Sequence, residues 1–167
     1  VSKGRAFGKE IKQFNQTHLQ LSFPGVDYFS KDRYPLDVLN TVLGANMSSR
    51  LFEALREKRG LVYDVGTSCR RYSNTGCFSV HCGLEASNVE KSISIIKTEL
   101  DKIKSKPVAS AELKRAKDYI LGNILINFES SLNTMMYLGE SLATKGKVTD
   151  IEEIKDNFLK VSAEEIM

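Results

Sequence analysis

The sequence predicts an α+β fold, a mostly antiparallel sheet with helices packed on one face. Two early stretches alternate apolar and polar residues with the period of a strand. The C-terminal half instead repeats its apolar residues every three or four positions. The order strand, helix, helix, hairpin and then several helices segregates the helices to one side of the sheet. Composition agrees: 167 residues, 41% hydrophobic and 27% charged, with three prolines, describe one globular domain and exclude disordered, collagenous and low-complexity chains.

Residues 1–15 are polar, carry Gly4 and Gly8, and read as a connector or an edge strand. From Thr17, residues Leu19, Leu21 and Phe23 face one way and His18, Gln20 and Ser22 the other, until Pro24-Gly25. Pro35 suits the first turn of a helix whose stripe is Leu36, Leu39, Val42 and Leu43, with Gly44 as its stop. Ser48 is the expected N-cap of a second helix carrying Leu51, Phe52 and Leu55 and ending at Gly60. Leu61–Cys69 and Gly76–Leu84 then form a hairpin, with Phe78, Val80, Cys82 and Leu84 sharing one face.

Ser87-x-x-Glu90 is a capping-box pattern opening a helix with Val89, Ile93, Ile96, Leu100 and Ile103. After Lys106-Pro107, Ser110 starts another helix through Leu113, Ala116, Ile120, Ile124 and Phe128, expected to run on past Ser130-Ser131 to Gly146. Thr149-x-x-Glu152 and Ser162-x-x-Glu165 predict two further capping boxes. The last one falls at the end of the chain, so the domain, residues 16–167, is expected to lack its final helix and strand.

A formal charge of +3, from 24 basic and 21 acidic residues, is too mild to argue for a nucleic-acid or membrane partner. The basic groups Arg56–Arg59 and Arg70-Arg71 are diluted by acids and have no aromatic stacking platform. Three cysteines without a Cys-x-x-Cys pair, and no apolar leader at Val1, suit a reduced, cytoplasmic chain. The two histidines, His18 and His81, are far apart, so a local zinc-ligand spacing is absent. Cys69 and His81 offer a thiol and a base on neighbouring strands, but nothing supplies an orienting third group. Arg56 and Tyr63 flank the Gly60 reversal, which places a guanidinium and a phenol at one rim of the sheet. Those donors suit holding a carbonyl oxygen as it gains charge.

The run from Gly44 to Tyr63, Gly-Ala-Asn-Met-Ser-Ser-Arg-Leu-Phe-Glu-Ala-Leu-Arg-Glu-Lys-Arg-Gly-Leu-Val-Tyr, resembles the signature of the pitrilysin/insulinase zinc metallopeptidases, in their processing-peptidase-like branch. His18–Gly25, Asn74–Phe78, Glu112–Lys117 and Glu129–Ser131 extend the likeness from about residue 16 to 166. The resemblance implies paired homologous domains closing around a peptide substrate. The first of each pair holds zinc on His-x-x-Glu-His; the second supplies an Arg and a Tyr, which match Arg56 and Tyr63. No His-x-x-Glu-His occurs here, so the resemblance implies the second-type, substrate-binding domain, with Zn2+ on an absent partner domain and none on this chain. A non-catalytic scaffold subunit of the same family is the alternative, and the family's glycine-rich substrate loop is not evident.

Overall fold

The computed structural model describes residues 16–167, so the expected connector over 1–15 lies outside the described residues. In chain order come β1 (Thr17–Gly25), α1 (Arg33–Leu43), a π-helical segment (Phe52–Glu57), β2 (Val62–Arg71) and β3 (Gly76–Leu84). A short 3-10 turn (Ala86–Asn88) leads to α2 (Val89–Ser105), α3 (Ser110–Glu129), α4 (Ser131–Lys145) and α5 (Ile151–Lys160). The sheet is antiparallel in the order β1-β3-β2.

Pairing register gives the sheet two unlike faces. On one, Leu84 lies between Thr17 and Val62, Cys82 between Leu19 and Val65, and Val80 between Leu21 and Thr67. Val80 and Leu84 are fully buried there, in one core with Leu43, Leu51, Leu55 and Ile96 from the helical layer. On the other face run His18–Gly83–Asp64, Gln20–His81–Gly66 and Ser22–Ser79–Ser68. Ser22 and Ser79 share a 3.0 Å hydrogen bond across it. The helices settle on the apolar face because only that face gains by leaving water.

Several helix starts differ from expectation. Ser48 does not cap the second helix; its N–H donates to Asn46 Oδ1 at 2.8 Å, and the Ser49 carbonyl accepts the Glu53 N–H at 3.0 Å. The turns beyond are wound as a π-helix, with the Lys58 N–H reaching back to the Glu53 carbonyl at 2.9 Å. Ser87 forms no capping box, because the chain makes a 3-10 turn there and Asn88 sends its side-chain amide to the Leu61 carbonyl at 3.2 Å. Asp150, not Thr149, caps α5, accepting the Glu152 N–H at 3.0 Å. A carboxylate one residue nearer the helix displaces the threonine hydroxyl.

Ala109 takes the cap position of α3, with Ser110 as its first residue. The single long helix expected to reach Gly146 is broken at Ser130, whose ψ of 120° leaves the helical region and whose Oγ accepts the Asn133 N–H at 3.3 Å. Serine competes for backbone donors in this way, which is why it starts helices better than it continues them. The Ser162–Glu165 box does form reciprocally, at 2.7 and 3.3 Å, although no helix propagates from it.

Leu84→Ala removes a fully buried side chain from the central strand. It should cost about 2–5 kcal/mol in urea unfolding. Leu132→Ala, at an exposed site on α4, should change stability by no more than about 0.5 kcal/mol.

Candidate functional site

The segment that carries Arg56 and Tyr63 is held from both ends. Helix α1 ends hard against β2: a Cβ on Gly44 would lie 2.6 Å from the Thr67 methyl, and the Thr67 hydroxyl donates to the Asn40 carbonyl at 2.9 Å. Only a residue without a side chain allows that approach. Beyond it, Arg50 forks onto Glu112 of α3, Nε to Oε1 and Nη2 to Oε2, both at 2.8 Å. Both side chains are largely withdrawn from solvent, and the paired geometry fixes orientation as well as distance. Leu51 and Leu55 then drop fully into the core.

Arg56 lies in the last turn of the π-helical segment. Such i→i−5 turns recur at functional sites because they re-aim one side chain without ending the helix. Its guanidinium stacks over the Phe52 ring, 5.1 Å from the centroid, is exposed, and has no hydrogen-bond or carboxylate partner among the described residues. The chain reverses at Gly60, whose φ of +57° is in the left-handed region. The Gly60 N–H returns to the Arg56 carbonyl at 3.0 Å and the Leu61 N–H to the Leu55 carbonyl at 2.9 Å.

Tyr63 follows at a β-bulge: Val62 pairs with Leu84 and Asp64 with Gly83, leaving Tyr63 as the extra residue. The bulge turns its ring outward, 57% exposed. Its hydroxyl donates to Glu85 Oε1 at 3.0 Å. That hydrogen bond, followed by the charge of the same carboxylate, raises the phenol's pKa. Thus Arg56 and Tyr63 flank one reversal, both open to solvent, and neither is drawn into the core. Glu85 escaped the sequence reading, although its place one residue beyond Leu84, the partner of Val62, follows from the hairpin register.

The other candidate groups are dispersed. Cys69 lies on the helix-covered face, its thiol 3.9 Å from the Leu36 carbonyl, whereas His81 is on the open face over Gly66. They form no nucleophile–base pair. Burial, with Asp37 adding to it, pushes the Cys69 thiol up to about 12, and burial pushes Cys82 up to about 11. All three cysteines are free. His18 and His81, distant in sequence, become diagonal neighbours on the open face, yet among the described residues no group of three His, Cys, Asp or Glu side chains could hold a metal. The donors among the described residues therefore do not fit a zinc ion. Part of the basic run is spent internally: Lys58 pairs with Glu53 at 2.8 Å, Arg59 donates to the Ala54 carbonyl at 2.7 Å, and Arg71 pairs with Asp37 at 2.5 Å.

A family profile described as the peptidase M16 inactive domain matches residues 2–120. The zinc protease YmxG of Bacillus subtilis, which carries the label uncharacterized, is 31% identical over 176 residues, covering 99% of this chain and 43% of that protein. A similarly labelled zinc protease of Streptomyces coelicolor is 30% identical over 155 residues, covering 93% of this chain and 34% of that one. The chain thus spans less than half the length of these curated relatives. Among solved structures, a peptidase M16 inactive domain from Pseudomonas fluorescens superposes with a TM-score of 0.78 at 23% identity, covering 90% of this chain and 36% of that one. The inactive peptidase domain of a zinc protease from Bordetella parapertussis gives 0.77 at 18% identity, over 93% of this chain and 84% of that one.

Glu85→Gln should lower the pKa of the Tyr63 phenol toward its ordinary value. The comparison is a near-ultraviolet titration of each protein minus its Tyr63→Phe counterpart. For the thiols the sign runs one way: below their unfolded pKa both states are protonated, and as pH rises toward 11–12 only the unfolded state ionises first. Stability should therefore fall through that window, and peptide mapping after iodoacetamide at pH near 8 should find Cys69 and Cys82 slow to alkylate.

Proposed function

Because the chain belongs to the peptidase M16 family, as a domain of the inactive type, we propose that it is the substrate-binding domain of a zinc-dependent metalloendopeptidase. It pairs with a homologous, metal-bearing domain, in the same polypeptide or another, and the peptide lies between them. The relatives' names point to zinc; any such ion is held by that other domain, and no step here runs through it.

One observation carries the reading: a guanidinium with no carboxylate partner among the described residues and an outward-turned phenol flank a single reversal within the run that resembles the family signature. Both are donors. In this structure Tyr63 already gives its one proton to the Glu85 carboxylate. A neutral amide carbonyl competes poorly for it, since bonds to charged acceptors are roughly twice as strong. Once the carbonyl oxygen gains negative charge, the two acceptors become comparable and the phenol can transfer. Arg56 adds a charge that does not need to be withdrawn from any acid. Both effects favour the transition state over the bound substrate, the condition for raising kcat rather than only tightening binding.

In the complete protein, Tyr63→Phe and Arg56→Gln should each lower kcat for a peptide about 100- to 1000-fold, with far-ultraviolet circular dichroism and urea midpoints unchanged. A kcat within about twofold of the parent for both variants would end their catalytic role. A complete wild-type protein that loads zinc yet cleaves no peptide in a broad library would favour the non-catalytic scaffold reading.

A further inference from the structure

At the end of the sheet remote from Tyr63, side chains from α1, β2, α4, α5 and the connection after β1 line a solvent-open cavity of about 200 Å³. With a water occupying about 30 Å³ in the liquid, the space suits one small polyatomic ion and a few waters. Ten residues of β2, from Val62 to Arg71, put it roughly 30 Å from the Arg56–Tyr63 rim at 3.3 Å per residue.

Its lining carries three cations, Arg33, Arg71 and Lys145. Arg71 is 15% exposed. It spends one nitrogen, Nη2, on Asp37 Oδ1 at 2.5 Å and the Arg33 carbonyl at 3.1 Å. Its Nε–H is buried with no acceptor among the described residues. A buried donor left unpaired is costly, and Arg71 thus keeps part of its charge uncompensated. Arg33 gives its donors to neutral oxygens, the Tyr28 carbonyl at 2.6 Å and the Tyr34 hydroxyl at 2.7 Å. Lys145, the last residue of α4, is half-buried with no carboxylate within ion-pair distance among the described residues, and its ammonium lies 6.0 Å from the centre of the Tyr28 ring. Against these three cations stand Asp37 inside and Glu140 at the exposed rim, 3.4 Å from the Tyr28 hydroxyl that donates to it.

The field is felt by the groups themselves. Burial and then the Arg33 charge press the Lys145 pKa down, with Arg71 adding to them and Glu140 opposing. Burial raises the pKa of Asp37 even with Arg71 beside it. The cavity therefore has positive charge to neutralise and, at one wall, an ammonium with no carboxylate partner among the described residues.

We propose that this cavity is a binding site for a compact oxyanion, a phosphate or a carboxylate group, held between the Lys145 ammonium and the Arg71 guanidinium, both of which line it. The site does not depend on Arg56 or Tyr63. An anion bound between Lys145 and Arg71 would also tie the end of α4 to β2.

Calorimetric titration of the full chain at low ionic strength, with inorganic phosphate and separately with N-acetylglycine, tests this. Saturable binding at about 1 mM or tighter is expected for one or both; phosphate alone identifies a phosphoryl-type ligand, and N-acetylglycine binding identifies a carboxylate. Lys145→Gln should weaken that binding at least tenfold, and Glu140→Gln should tighten it about threefold by removing the opposing charge. Absence of saturable binding by either probe would overturn the proposal, as would a folded Lys145→Gln chain with unchanged affinity. If Lys145→Gln fails to fold, Glu140→Gln decides: affinity equal to or weaker than the parent's overturns the site.

Discussion

The reversal between Leu55 and Val62 is the constraint on which the candidate site rests. Leu51 and Leu55 are fully buried, so the π-helical segment cannot slide along its axis without opening the core. The Leu61 N–H closing onto the Leu55 carbonyl, and the left-handed turn at Gly60, then fix where β2 starts. Arg56 and Tyr63 inherit their positions from this framework. Neither contributes to the core, so both are free to be chosen for what they present to solvent.

That framework is anchored at a distance. The Arg50–Glu112 fork ties the same segment to α3 across 62 positions of sequence, and Gly44 lets α1 approach Thr67 closely enough for a hydroxyl-to-carbonyl bond. Each is a short-range contact with long-range consequences, because a local slip would have to break a two-point ionic contact or force a side chain into filled space. The family signature therefore combines two kinds of residue: those that hold the reversal and those that the reversal displays.

The same separation appears in the sheet. Its apolar face is committed to the helical layer, while its polar face keeps a row of hydroxyls, Ser22, Ser79 and Ser68, flanked by His81 and Gln20. A face of that kind is compatible with an extended polar chain lying near it and incompatible with further helix packing from within this domain.

Much of this was legible in the sequence because strand and helix periods are local. The alternation from Thr17 to Phe23 and the Gly60 stop reappear in the structure, as does the Val89–Ile103 stripe except that Ser92, fully buried, takes the inward place expected of Ile93, and Arg56 and Tyr63 stand exposed at one reversal. What local pattern could not decide was competition among equivalent groups. Asp150 outbids Thr149 at the start of α5, Asn88 turns its amide to Leu61 instead of letting Ser87 cap α2, and Ser130 splits one expected helix in two. Nor could it show that Tyr63 sits on a bulge facing Glu85, or that His18 and His81 become neighbours while Cys69 and His81 part to opposite faces. Period and punctuation are written residue by residue, so the chain alone determines its elements. Which donor meets which acceptor depends on register and on the approach of distant segments, and only the folded packing settles that.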